Sequence, residues 1–282
     1  MNKTIRYIMY VVITIICIIS VFVGVYAVEL RIAKDQRNEM EESIEKGEET
    51  KKKEKSTTDK FRELFTNEFF GSESIESEVK KIEKDKAIVY KAWNETVNKE
   101  GKYSIDVHLP GINIDSDVAR KYNEKASQDF ISQVELLKSE SNKKQQYTIY
   151  ETSFTSYVNE DILSVAIMAS LKEGGNAQRV IVKTYNYNLK TGEDVPISEI
   201  IEKRGLDTTA INKKINSTVK EAAEEAESVS QTGYSVYKRN IEDEMYSVKN
   251  VTNYIQGPNG ELFIIYAYGE KSNTAEMDVI EI

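Results

Sequence analysis

The sequence predicts an α+β protein: an antiparallel sheet with two long packed helices, preceded by one transmembrane helix and a charged linker. Three observations predict it. Tyr7 to Val28 is a run of 22 residues without a charge. From Ala87 onward, short runs rich in β-branched and aromatic residues are separated by turn residues, the pattern of successive strands. Ser116–Ser139 and Thr208–Ser228 instead space their apolar residues three and four apart, as amphipathic helices do. The order ββ–α–βββ–α–ββ then divides the chain into three regions. The regions expected are 1–28, a short cytoplasmic end plus the span; 29–86, a charged helical or flexible stalk; and 87–282, one α+β domain, expected outside the cytoplasm on grounds given below.

The N-terminal run reaches about 33 Å as a helix, enough to cross a hydrocarbon core of about 30 Å. Tyr7, Tyr10 and Tyr26 stand near its ends, where amphipathic rings favour the membrane interface. Val25-Tyr26-Ala27 resembles a cleavage site, but the run exceeds the roughly 7–15 residues of a signal-peptide core, so an uncleaved anchor is expected. The lipid bilayer is therefore the first partner. Lys3 and Arg6 favour a cytoplasmic N-terminus, and Arg31, Lys34 and Arg37 oppose it; the orientation expected, with the body outside, rests partly on a resemblance described below.

Glu29 to Lys60 is highly charged and carries only a thin apolar stripe, Leu30, Met40 and Ile44, too sparse for a coiled coil. Phe61, Phe65 and Phe69 recur every four residues, so a helix packed on the following domain is expected over FRELFTNEFF. A helix-like pattern continues over Ser72–Lys86. The folded domain begins near Ala87 with a hairpin, AIVYKAWNETV turning at NKEGK into YSIDVHLPGI, which Pro110-Gly111 ends. Val118, Tyr122, Ala126, Phe130, Val134 and Leu137 define the first long helix, with Asp115 or Ser116 as its cap. QYTIYETSFTSYV, ILSVAIMASLKE and AQRVIVKTYNYNL make an antiparallel meander, followed by a short helix at Ile197–Lys203. Ile211, Ile215, Val219, Ala222 and Ala226 stripe the second long helix. Gly257-Pro258-Asn259-Gly260 closes a last hairpin, and a strand near Met277–Ile282 ends the order.

Composition removes several functions. A net charge of -9 argues against nucleic-acid binding, which needs clustered Lys and Arg. One cysteine and one histidine exclude intrachain disulfides, cysteine zinc sites and paired-histidine metal sites. No cofactor motif is present.

The stretch Leu163–Ile201 is similar to an extracytoplasmic domain of unknown function shared by RsiV-type anti-sigma factors and PdaC-type peptidoglycan deacetylases. The residues that carry the resemblance are Gly174-Gly175, then Tyr185-Asn186-Tyr187-Asn188-Leu189-Lys190-Thr191-Gly192, then the helix Ile197–Ile201. It covers roughly Tyr103 to Ile282. Members often follow the two glycines with Ala-His, where this chain has Asn176-Ala177, so no histidine role carries over. The resemblance implies a sensing or wall-associated module outside the membrane, some members binding lysozyme. It does not extend to a cytoplasmic sigma-binding region or a deacetylase domain.

The remaining chemical candidates have plainer explanations. Asp106 and His108, two apart on a strand, form a solvated face with no marked nucleophile. Lys190-Thr191-Gly192 and the SxxK segments Ser141–Lys144 and Ser217–Lys220 lack the SxN motif between them that a penicillin-binding enzyme needs. Asn113, Asp115, Asp117 and Glu124 match calcium-loop spacing, but Val118 stands where glycine must turn the chain, so helix capping is expected. Tyr147, Tyr150, Tyr157, Tyr185, Tyr187, Tyr266 and Tyr268 crowd the strands, to stack on glycan if exposed or to fill sheet cores if buried. No catalytic, cofactor-binding or metal-binding residue is assigned, and the ligand-binding residues stay open. The expected function is a non-catalytic binding or sensing module for cell-wall glycan or a basic protein such as lysozyme. The alternatives are a cell-wall hydrolase using acids such as Asp106, Glu151 or Glu173, and a structural subunit of a membrane complex.

Overall fold

The structure of the protein is a computed structural model that describes residues 56–70, 79–140, 146–231 and 236–282. The expected span Tyr7–Val28 lies outside them, as does most of the linker. Among the described residues, no helix is long and apolar enough to cross a membrane. Lys55–Ile282 forms one compact unit.

That unit has two sheets where one was expected. The first holds β2 (Val89–Lys99), β3 (Tyr103–Ile112), β4 (Thr148–Asn159), β5 (Ile162–Glu173) and β6 (Arg179–Asn188) in that order, with β1 (Glu68–Phe70) also on β4. The second holds β7 (Tyr254–Gln256), β8 (Leu262–Ala267) and β9 (Met277–Glu281). The composition of β8 explains the division. Its apolar run Leu262–Ala267 is buried almost throughout, as a strand must be when both faces are covered. Phe263 and Ile265 pack toward Val180 and Val182 of β6, while Leu262, Ile264 and Tyr266 pack toward the second long helix, α5 (Thr208–Ser230).

The first sheet is also not wholly antiparallel. β3 and β4 run parallel, and so do β1 and β4. The first long helix joins β3 to β4, and a connection of that length permits a parallel pair. β3 covers only Thr148–Thr152 of β4; β1 takes Thr155–Tyr157 on the remainder. Pro110 lies beyond the part of β3 that pairs with β4 and is matched only to Lys91 of β2, so the strand runs on to Ile112 instead of ending at Pro110-Gly111; a proline is tolerated where one side of a strand is unpaired.

The phenylalanine stripe is helical only in its first half. α1 (Thr57–Glu63) packs on the domain as expected, with Phe61 fully buried and its ring 5.9 Å from that of Phe263. Asn67 then takes a left-handed backbone, φ 59°, and Phe69 and Phe70 continue as β1. The expected boundary at Ala87 thus falls inside the compact unit, because Phe61 belongs to its core. Residues 79–86 are not helical either. Buried Asn113 holds them, its amide donating to the Glu83 and Lys86 carbonyls at 2.7 and 3.2 Å and accepting from the Glu83 amide at 2.8 Å.

Ser116 caps the first long helix, accepting from the Ala119 amide. This helix comprises α2 (Asp117–Ala126), one π turn (Ser127–Ile131) and α3 (Ser132–Glu140). The Tyr150 hydroxyl donates to the Phe130 carbonyl within that turn at 3.3 Å. Phe130, Val134 and Leu137 cover β3–β6 on one face. α4 (Ile197–Lys203) matches its expected bounds, and Asp207 caps α5 through the Thr209 amide. The layers run helix, sheet, sheet, helix.

Candidate functional site

The Tyr185–Gly192 motif is first of all a joint between the sheets. The Ser164 hydroxyl donates to Asn186 Oδ1 at 2.7 Å, and Asn186 Nδ2 donates to the Tyr254 carbonyl of β7 at 3.0 Å. The Tyr254 amide donates to Thr184 Oγ1 at 3.0 Å, and the Tyr122 hydroxyl to the Asn186 carbonyl at 3.1 Å. Asn188 Oδ1 accepts from the Lys190 and Thr191 amides, and Gly192 supplies φ 78°, a conformation glycine adopts without strain. Lys190-Thr191-Gly192 is accordingly a strand-end turn, with the Lys190 ammonium 2.9 Å from Asp161.

Beside this joint lies an open cleft of about 840 Å³, within the range of small-molecule sites. α2 contributes Tyr122 and Lys125, β6 contributes Tyr185, and the entry to α4 contributes Asp194 and Val195. Glu202 and Lys249 come from α4 and from the 3₁₀ turn Val248–Asn250. The Tyr122 and Tyr185 rings meet at 5.0 Å, tilted by 45°. Partial desolvation pushes the Asp194 carboxyl above the usual aspartate value, against the pull of Lys121. Asp194, Glu202, Lys125 and Lys249 all line the cleft as exposed side chains, with Lys121 acting on Asp194.

The acids singled out in the sequence are elsewhere. Asp106 faces Glu151 across the β3–β4 pair, on the sheet face opposite α2 and α3. Its carboxylate accepts from the Thr96 hydroxyl at 2.7 Å and lies 3.3 Å from His108 Nε2. Glu173 is at the far end of β5, opposite Thr148. None of the three lines the cleft. The calcium-spaced residues are likewise occupied: Asn113 by the Glu83–Lys86 backbone, Asp115 by Lys80 and Asp117 by Arg120 at 2.7 Å. Lys80 holds Asp115 below the usual aspartate value. Ser141–Lys144 falls outside the described residues, and the Ser217 hydroxyl donates to the Lys214 carbonyl. Of the seven tyrosines, six are buried and only Tyr147 is exposed. They fill cores, so the tyrosine platform for sugars is not formed. Sequence reasoning missed the cleft because its four charged residues come from three separate stretches with no common spacing.

A second concentration of charge is closed. Arg239 forms a bidentate pair with Asp278 at 2.8 and 2.9 Å and reaches Glu276 at 3.0 Å. The Arg239 and Asp278 side chains are both 5% exposed. The Tyr268 hydroxyl donates to Asp278 at 2.5 Å and accepts from Tyr246 at 2.9 Å. Burial pushes the Tyr246 hydroxyl up to about 12. The charge balance of the whole chain is equally uneven. The first 54 residues hold as many acidic as basic side chains, so the net charge of -9 falls wholly on Lys55–Ile282.

No family model matches the chain, and no curated protein matches it. Among solved structures, a DUF3298 family protein from Pseudomonas aeruginosa PAO1 is similar at TM-score 0.36 and 8% identity, over 69% of this chain and 87% of that one. A DUF3298 member from Bacteroides fragilis NCTC 9343 is similar at TM-score 0.32 and 12% identity, over 69% and 88%. Both belong to a family of unknown function, and likeness at this level carries no argument about ligand or activity.

Proposed function

We propose that the chain is a single-pass membrane protein displaying its folded unit outside the cytoplasm as a non-catalytic binding or sensing module. The observation that carries this reading is the placement of charge: the compact unit bears the entire net charge of -9. A field of that sign draws cationic proteins to the surface and raises their association rate. A basic protein such as lysozyme is therefore the ligand favoured over cell-wall glycan, for which the buried tyrosines offer no platform. Titration calorimetry of the full-length protein in detergent tests this, with lysozyme and with soluble peptidoglycan fragments. Lysozyme is expected to bind with an affinity that falls as salt is raised, and absence of heat with both ligands ends the reading. Trypsin added to intact cells is expected to digest the folded unit; full protection would place it inside.

One observation favours a hydrolase as the second reading. Asp194 and Glu202 share a concave site and the former is held toward its protonated form, a combination that glycoside hydrolysis uses. Release of reducing ends from peptidoglycan, lost in Asp194→Asn, would establish it, and no release from wild type removes it.

A further inference from the structure

We propose that Asn259-Gly260, at the tip of the β7–β8 hairpin, is a site of spontaneous deamidation through a succinimide, and that the Glu261 carboxylate sets its rate by holding the reacting side chain. This goes beyond the binding reading and does not depend on it. Asn259-Gly260 is the one Asn-Gly pair in the sequence, and a glycine leaves its own backbone nitrogen unshielded by a Cβ. Asn259 is exposed. The turn is built around the Glu261 side chain. Gly257-Pro258-Asn259-Gly260 closes with the Gly260 amide donating to the Gly257 carbonyl at 3.1 Å, Pro258 presetting the second position and Gly260 at φ 83°. Glu261 Oε2 accepts from the Asn259 backbone amide at 2.9 Å, and Oε1 accepts from Asn259 Nδ2 at 2.8 Å. A Cβ on Gly257 would stand 2.7 Å from Glu261 Oε2, so that glycine leaves the carboxylate its room. Partial burial raises the Glu261 carboxyl, but the bonds from Asn259 and from backbone amides overcome it and leave the group below the usual glutamate value.

Deamidation requires the Gly260 nitrogen to give up its proton and attack Asn259 Cγ. The N–Cγ bond forms, the Cγ–Nδ2 bond breaks, and Nδ2 leaves as ammonia with the proton that Gly260 lost. Water then opens the ring at either carbonyl, giving aspartate or isoaspartate. The turn opposes each part of this step. The Gly260 N–H is engaged by the Gly257 carbonyl, and the Asn259 amide cannot swing toward Gly260 without giving up a charge-assisted bond to Glu261. The carboxylate's negative charge also disfavours both a deprotonated Gly260 nitrogen and the oxyanion that forms at Cγ. The modification would reach beyond the turn. The Gly260 carbonyl accepts from Arg204 Nη1 at 2.6 Å, and the Gly257 carbonyl from Asn159 Nδ2 at 3.0 Å. An isoaspartate adds one carbon to the main chain between these two anchors, which loosens the hairpin from the end of α4 and from β4.

The test incubates the full-length protein in detergent at mildly alkaline pH, folded or in urea, and follows Asn259 by peptide mapping with fragmentation. Folded wild type is expected to deamidate there more slowly than the urea-unfolded chain. Folded Glu261→Ala should react about tenfold faster than wild type, the rate equivalent of one hydrogen bond to a charged group, and at the wild-type rate in urea. Glu261→Gln, which keeps an oxygen acceptor but no charge, should fall between them, and it decides the matter alone if the alanine variant does not fold. Asn186→Ala, which weakens the sheet joint without touching the turn, should keep the wild-type rate. Equal rates for wild type and Glu261→Gln, an equal rise in Asn186→Ala, or no modification of Asn259 even in urea would each overturn the proposal.

Discussion

The Arg239 cluster and the cleft treat charge in opposite ways. Around Arg239, each ionised group has an opposite partner and the polar hydroxyls of Tyr246 and Tyr268 complete the network. Around Tyr185, four exposed charged groups border one open cleft, and Lys121 acts on the Asp194 carboxyl among them. A buried guanidinium left alone would be intolerable, whereas exposed ammonium and carboxylate groups keep enough water to remain unpaired. The first arrangement holds β9 and the segment before the 3₁₀ turns together. The second leaves its charged groups in contact with water.

The sharpest way to break this contrast is Arg239→Ala. It strands Asp278 and Glu276, and removing one member of a buried ion pair costs about 3–5 kcal/mol; urea unfolding should show a midpoint shift of that size. If the loss is within about 0.5 kcal/mol, the cluster is not a lock. Phe61→Ala asks whether α1 belongs to the same core. A buried phenylalanine deletion costs about 3–5 kcal/mol, and the lower end is expected because a short terminal helix can shift to refill the space. Thermal unfolding of this variant, and of a chain beginning at Ala87, should show the same direction of change.

Asn186→Ala tests the joint beneath the cleft. It leaves the Ser164 hydroxyl and the Tyr254 carbonyl without their partner, a loss of about 1–3 kcal/mol in urea unfolding. Asp194→Asn is the smallest expected effect on stability, within about 0.5 kcal/mol at neutral pH. Its sign follows from the carboxyl's upward displacement. The native state favours the protonated form, so Asp194 contributes stability below the ordinary aspartate value and loses it as pH rises through its folded pKa. The asparagine variant should match wild type in acid and be slightly more stable above that range. A variant less stable at neutral pH would mean that the carboxylate is held by a partner.

Much of the fold is legible locally. The meander β4–β6 follows from runs of apolar residues broken at Glu160-Asp161 and at Gly174-Gly175, where Glu160 and Gly174 take positive φ. Ser116 and Asp207 announce two helix starts through side chains that bond amides two or three residues away. The failures have non-local causes. The Phe61–Phe69 spacing suits a helix throughout, but β4 has a free edge past Thr152, and Phe69 and Phe70 gain more by pairing with it. Likewise, residues 79–86 surrender a helical pattern to the side chain of Asn113, about thirty positions away in the chain.

By itself the amino-acid order determined an uncharged run long enough to span a bilayer, the types of nearly all the elements after Ala87, their turns and caps, and an acid excess. These depend on periodicity and on contacts a few residues apart, which any short window displays. Only the tertiary structure decided that β7–β9 form their own layer, that β3 lies parallel to β4, and that Lys125, Asp194, Glu202 and Lys249 border one cavity. Those outcomes depend on which distant surfaces exclude water together, and no local pattern encodes that choice.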